Sequence, residues 1–168
     1  MKVQSIENFL ISIPLSNPKK ISTRSIISRE YLVVKISADN GFVGWGYTFG
    51  TMAEFAGAEN VLKELVLGQD IFCTEKIWDN MYKTTLRWGR RGAILRAMSA
   101  IDIALWDIKA QMTGLPLYKL LGGYKDKVKV YISSGYYTDL QGEADLDFIR
   151  QDCVETMEKG YTAYKLRV

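Results

Sequence analysis

The chain contains no histidine, and only two cysteines and three prolines occur among its 168 residues. Without an imidazole, these residues lack the side chain that most often changes charge near neutral pH. Cys73 and Cys153 stand far apart and match no metal-binding or redox spacing, so they read as two reduced core thiols of a cytoplasmic protein. The scarcity of proline, with 48% hydrophobic and 24% charged residues, excludes a disordered chain and supports a real core. No apolar run reaches the length needed to cross a membrane. Met1-Lys2-Val3-Gln4 opens no signal-peptide apolar region with a small-residue cleavage site, so no membrane partner is expected. The net charge of +3 is small and the basic residues are dispersed, which excludes a nucleic-acid partner.

What is there divides into two patterns. Residues 2–15 read as a strand, 31–38 as a stronger one, and 42–47 as its hairpin partner across Asp39-Asn40-Gly41. Asn and Gly tolerate the positive φ that a tight hairpin turn demands. Helical spacing follows over 52–66, over 75–86 with Thr74 as N-cap, and over 93–112, which is apolar on nearly all sides and should be the most buried helix. Gly114 and Pro116 end that helix, and one more turn precedes Gly122-Gly123. The period then changes. Residues 128–134 read as a strand, 142–159 as an amphipathic helix with Leu146, Ile149, Val154 and Met157 inward, and 161–168 as a second strand. That is one βαβ unit with parallel strands and a right-handed crossover.

A lone two-stranded parallel unit cannot cover both of its faces. The expected fold class is therefore an α+β domain over 1–124 followed by the start of a larger α/β domain over 125–168, with the chain read as truncated.

The final stretch, Tyr161-Thr162-Ala163-Tyr164-Lys165-Leu166-Arg167-Val168, carries two cations two positions apart. Side chains at i and i+2 of a strand share a face, so Lys165 and Arg167 project together. Either they lie on an exposed edge with ordinary surface charges, or they stand on the inner face of a barrel, where unpaired cations are costly to bury.

Three stretches resemble the enolase superfamily, in particular its mandelate racemase / muconate lactonizing enzyme-like branch. The first runs Met98-Ser99-Ala100-Ile101-Asp102-Ile103-Ala104-Leu105-Trp106-Asp107-Ile108-Lys109-Ala110 and continues from Gly114-Leu115-Pro116 to Leu120-Leu121-Gly122-Gly123. The second is the hairpin Asp39 to Gly46, and the third is Lys165-Leu166-Arg167, where the family commonly has Lys-x-Lys on the second barrel strand. The resemblance implies an N-terminal capping domain, then a modified (β/α) TIM-type barrel, of which this chain holds the start. It also implies a chemistry: a base removes the proton α to a carboxylate, and Mg²⁺ stabilises the enediolate. The metal ligands it implies are carboxylates on later barrel strands, and the His–Asp base would lie beyond residue 168. No metal ligand is therefore expected among these residues. On this reading Asp102 is a structural hydrogen-bonding group and Asp107 a helix-surface or interface charge.

The resemblance further assigns candidate roles. Lys165 matches the first lysine of the pair, near the substrate carboxylate and reacting centre; otherwise it is a structural lysine. Arg167 stands where the pair has its basic lysine. Guanidinium keeps its proton far above neutral pH, so Arg167 is a poor base and a better electrostatic clamp, which favours a one-base reaction. Tyr47 matches a substrate-contacting cap residue, or packs against the barrel rim. Ser133 ends the first barrel strand, as a functional group or a strand-capping hydroxyl. Arg24, in the polar loop from Ser16 to Ser25, grips a polyhydroxy acid or is simply solvated. The basic loop Arg87 to Gly92 anchors an acidic substrate, orders a neighbouring subunit, or is solvated.

Three functions compete. A dehydratase of an acid sugar needs one base and an acid for the leaving hydroxyl. A racemase or epimerase of a 2-hydroxy or amino acid is disfavoured by Arg167. A non-catalytic cap that works only in assembly is the third. The expected partners are a small carboxylate substrate and further copies of the chain in a homo-oligomer.

Overall fold

The computed structural model describes residues 1–21, 24–133 and 146–166, with only the backbone described for Asn17, Lys19, Lys20, Ile21 and Arg24. Two compact units emerge. The first comprises Met1–Ile13 and Glu30–Gly123, and the second Pro14–Arg29 and Tyr124–Val168.

A three-stranded sheet opens the chain in the order β1 (Val3–Ile21), β2 (Arg24–Ala38), β3 (Val43–Phe49). Both arms of the first hairpin run further than their apolar alternation suggests. The segment expected as a polar loop from Ser16 to Ser25 is largely strand, and Pro14–Arg29 groups with the second unit. Paired backbones need no alternation when neither face of the ladder is buried in a core. β2 and β3 are antiparallel, with Val34 opposite Gly46 and Lys35 opposite Trp45. The turn places Gly41 at φ 90°, which only glycine adopts without strain.

In the first unit, β2 turns Leu32, Val34, Ile36 and Ala38 inward at every second position. They meet α4 (Ala93–Thr113), whose Ala97, Met98, Ala100, Ile101, Ala104, Leu105 and Ile108 are all buried, as its all-round apolarity requires. β3 approaches α4 more closely than ordinary packing permits. A methyl group on Gly44 or Gly46 would run into the carbonyl oxygens of Ala104 and Ala100 respectively. The Gly-x-Gly spacing and the small helix residues are thus two halves of one contact.

The remaining helices close this core. α1 (Met52–Gly57), a π-helical turn (Ala58–Leu62) and α2 (Lys63–Val66) form one continuous run. Thr51 and Glu54 cap its start reciprocally. α3 (Thr74–Thr85) starts one residue earlier than expected: Cys73 occupies the N-cap, and the buried Thr74 instead accepts a hydrogen bond from Lys109 Nζ at 2.9 Å. Gly114 ends α4 at φ 63°, and α5 (Leu117–Leu120) follows Pro116.

In the second unit, β4 (Ile132–Ser133) pairs in parallel with β5 (Tyr164–Lys165), and α6 (Leu146–Glu158) connects them. α6 turns Ile149, Asp152, Cys153 and Thr156 to its more buried side. Leu146, Val154 and Met157, expected inward, are exposed. The more buried side follows i, i+3, i+4, i+7 from Ile149 and is of mixed polarity, with Asp152 held there by its bond to Tyr164.

Candidate functional site

The β4–β5 ladder sets the geometry of the second unit. Its register pairs Ile132 with Tyr164 and Ser133 with Lys165. Side chains alternate along each strand, so Ser133 and Lys165 are same-face neighbours, while Ile132 and Tyr164 share the other face. On that other face the half-buried Tyr164 hydroxyl donates a 2.6 Å hydrogen bond to Asp152 Oδ2 of α6. The strand bearing Lys165 is thereby tied to the crossover helix. On the Ser133 face, the Lys165 ammonium stands 5.7 Å from the centre of the Tyr131 ring. Tyr131 was not among the residues singled out from the sequence. Its signal was available, since it lies two positions before Ser133 in the segment 128–134 that the sequence reads as a strand.

The structure therefore brings together Ser133 and Lys165. Tyr47 belongs to the first unit, on the outward side of β3, where it is 65% exposed and meets the Tyr31 ring edge-on at 6.1 Å. Phe49 stacks on the same Tyr31 at 5.1 Å. Arg167 and the side chain of Arg24 lie outside the described residues.

Two carboxylates of α4 exchange their expected roles. Asp107 Oδ2 accepts the backbone N–H of Trp45 at 2.9 Å and a side-chain N–H of Gln111 at 3.0 Å, while Gln111 also donates to the Val43 carbonyl at 2.7 Å. β3 is a sheet edge, and this pair satisfies backbone groups that no further strand covers. Asp102 instead lines a cleft of about 530 Å³ in the first unit, with Trp78, Arg91, Arg96 and Ser99 among its neighbours. Burial pushes its carboxyl above the ordinary value, the Glu75 charge adds to the rise, and Lys109 opposes it. Burial likewise lowers the Lys109 ammonium, against the pull of Asp102 and Glu75. That ammonium also rests 4.0 Å above the Trp106 ring.

One carboxylate is nearly inaccessible. Glu54 is 3% exposed. Burial alone would raise its carboxyl, but the Thr51 backbone N–H at 2.7 Å, the Thr51 hydroxyl at 2.9 Å and the Arg96 guanidinium at 3.2 Å together hold it below the ordinary value. It is a helix-capping group rather than a reacting one.

Among the described residues no three His, Cys, Asp or Glu side chains gather as a metal site. Mg²⁺ takes a near-octahedral set of hard oxygen ligands, so the described residues do not form its site. Among the described residues, no helix is long and apolar enough to cross a membrane.

Comparison with known proteins agrees with this architecture. Residues 5–122 match the mandelate racemase / muconate lactonizing enzyme N-terminal domain. The chain is 37% identical over 142 residues to arabinonate dehydratase of Saccharolobus solfataricus, covering 83% of this chain and 37% of the relative. It superimposes with a TM-score of 0.89 on a racemase from Streptomyces coelicolor with bound magnesium, at 32% identity over 99% of this chain and 46% of that one. Against L-talarate/galactarate dehydratase from Salmonella typhimurium, liganded with Mg and L-lyxarohydroxamate, the TM-score is 0.85 at 30% identity, covering 99% of this chain and 44% of that one. The chain thus spans less than half the length of these relatives. Its α+β sheet-and-helix unit and the match over residues 5–122 show that the chain belongs to the mandelate racemase / muconate lactonizing enzyme family of the enolase superfamily, through that family's N-terminal capping domain.

Proposed function

We propose that residues 1–124 form the cap, and 125–168 the first strand–helix–strand of the barrel, of a Mg²⁺-dependent enzyme that abstracts the proton α to a carboxylate and dehydrates an acid sugar. The observation that carries this reading is the in-register pairing of Ser133 with Lys165, in a chain similar to sugar-acid dehydratases.

The chemistry runs as follows. A base takes the proton α to the carboxylate, and the C–H electrons delocalise into the carboxylate. Those electrons then form the Cα–Cβ double bond as the β C–O bond breaks, and the hydroxyl, protonated by a general acid, leaves as water. The resulting enol tautomerises to a 2-keto-3-deoxy acid. Lys165 supplies positive charge where negative charge grows. Ser133 offers a hydroxyl on the same face. Arg167 clamps the carboxylate or a hydroxyl and leaves proton abstraction to a base on the opposite side of the substrate. Tyr47 and Arg24 contact the substrate from the cap. This chain contributes charge and hydrogen bonding. The protein works in the cytoplasm as a homo-oligomer.

A racemase or epimerase of a 2-hydroxy or amino acid is the second reading, favoured by the likeness to the Streptomyces racemase. Arg167 opposes it, because racemisation by two bases needs a deprotonatable group on each face. The deciding experiment incubates the complete gene product and Mg²⁺ with a panel of aldonic and aldaric acids. Formation of a 2-keto-3-deoxy acid from at least one of them supports the dehydratase. Interconversion of stereoisomers without loss of water supports the racemase and overturns the first reading.

A further inference from the structure

We propose that Tyr131 is a positioning residue for Lys165, its ring face receiving the ammonium and holding it on the side of the β4–β5 ladder that carries Ser133. The catalytic consequence rests on the functional reading above; the contact itself does not.

The argument begins with the backbone. Ser133 pairs with Lys165, so their side chains leave the same face, and Tyr131 directly precedes β4, two residues before Ser133. The ammonium lies 5.7 Å from the ring centroid, inside the range of about 6 Å where the negative ring face attracts a cation. Tyr131 is 55% exposed, so it is no core residue whose place packing explains. Among the described residues no carboxylate is within ion-pair distance of Lys165.

A lysine has a four-carbon stem with many rotamers, and an exposed one samples them freely. Here the stem's base is fixed from the opposite face by the bond from Tyr164 to Asp152, and its tip by the Tyr131 ring. The choice of an aromatic partner has a chemical consequence. A carboxylate beside Lys165 would neutralise it and compete with an anionic substrate. A ring face orients the charge without cancelling it, so the ammonium stays available to an incoming carboxylate.

Competitive labelling of lysines with trace acetic anhydride, read by mass spectrometry on the full chain, tests the contact directly. In Tyr131→Leu, acetylation of Lys165 should rise about 2- to 5-fold, while Lys2 and Lys119 stay unchanged. In Tyr131→Phe it should stay at the native level, because the ring remains. Fluorinated phenylalanines at position 131 weaken the ring's negative face at nearly constant shape and should raise labelling stepwise. This series decides the matter even if the leucine variant folds poorly. In the complete enzyme, Tyr131→Leu should lower kcat/KM about 2- to 5-fold, with Tyr131→Phe restoring it, and should cost nothing further once Lys165 is Met.

The proposal is overturned if Lys165 labelling ignores the fluorine series, if Phe loses as much as Leu, or if the Leu and Met losses add. The predicted labelling pattern without turnover of any α-proton leaves the positioning role standing and sinks the functional reading. Turnover with unchanged labelling does the reverse.

Discussion

The β2–β3 ladder spans seven residue pairs and lies on a helix with seven buried core residues; the described β4–β5 ladder spans two pairs, and both Ser133 and Lys165 are exposed. In the first case packing fixes the inward side chains, and a single methyl group is too much at Gly44 or Gly46. In the second, individual contacts must do the fixing: Tyr164 on Asp152, Tyr131 on Lys165. Stability and chemistry are therefore carried by different residues, and substitutions should separate them.

The largest expected effect falls on chemistry alone. Lys165→Ala in the complete enzyme should lower kcat about 10²- to 10⁴-fold, the range for a group acting in proton transfer or its electrostatic support. Its unfolding free energy should move by no more than about 0.5 kcal/mol, as for other exposed substitutions. A loss of stability matching the loss of rate would break the comparison.

Next comes a purely structural loss. Gly46→Val should destabilise the first unit by about 3 kcal/mol or more, because the obstacle is the α4 backbone and not a movable side chain. Denaturant unfolding checks this, and a shift under about 1 kcal/mol would show that sheet and helix are not in the contact described.

The buried cap of α1 adds a pH signature. The Glu54 carboxyl is held below its ordinary value, so its contribution to stability is present at neutral pH, above the unfolded value, and is lost as pH falls through the folded one. Glu54→Gln should cost about 1–2 kcal/mol near pH 7. Melting curves of the two proteins should converge as pH drops below 4.5, the ordinary value for this group. A gap that stays constant into acid would remove the ionised carboxylate from the account.

The smallest contrast is within α4. Asp107→Ala should cost about 1–2 kcal/mol, because the Trp45 backbone N–H loses its acceptor. Asp102→Asn should leave stability at neutral pH unchanged or raise it by up to about 0.5 kcal/mol. Its carboxyl is raised by burial, so ionisation in the folded state is unfavourable and removing the charge relieves it. Equal losses at both positions would undo the distinction.

That distinction also marks the limit of what the sequence shows. The alternation of β2, the Asp39-Asn40-Gly41 turn and the all-round apolarity of α4 are local patterns, and each became the element it suggests. Asp102 and Asp107 look alike on the same helix. What separates them is an edge N–H sixty-two residues away, a relation no periodicity records. Thr74 resembles an N-cap for a similar reason: its hydroxyl went to Lys109, thirty-five residues on. On α6 the more buried side carries Asp152 and Thr156, and its polar tie to Tyr164 is a relation that apolar spacing does not record. The placement of Ser133 and Lys165 on strands was legible from strand period. Tyr131 needed the further step of following that segment back by two residues.

The central claim is that Lys165 and Arg167 support a carbanion without taking the proton. Exchange of the substrate α-proton with deuterated water, resolved by stereochemistry, tests it most directly in the complete enzyme. The account predicts exchange at one face only, strongly reduced by Lys165→Ala, with Arg167→Met weakening substrate binding and leaving the stereochemistry of exchange unaltered. Comparable exchange of both stereoisomers by the native enzyme, with Arg167→Met abolishing only one, would show Arg167 acting as a base and contradict the account.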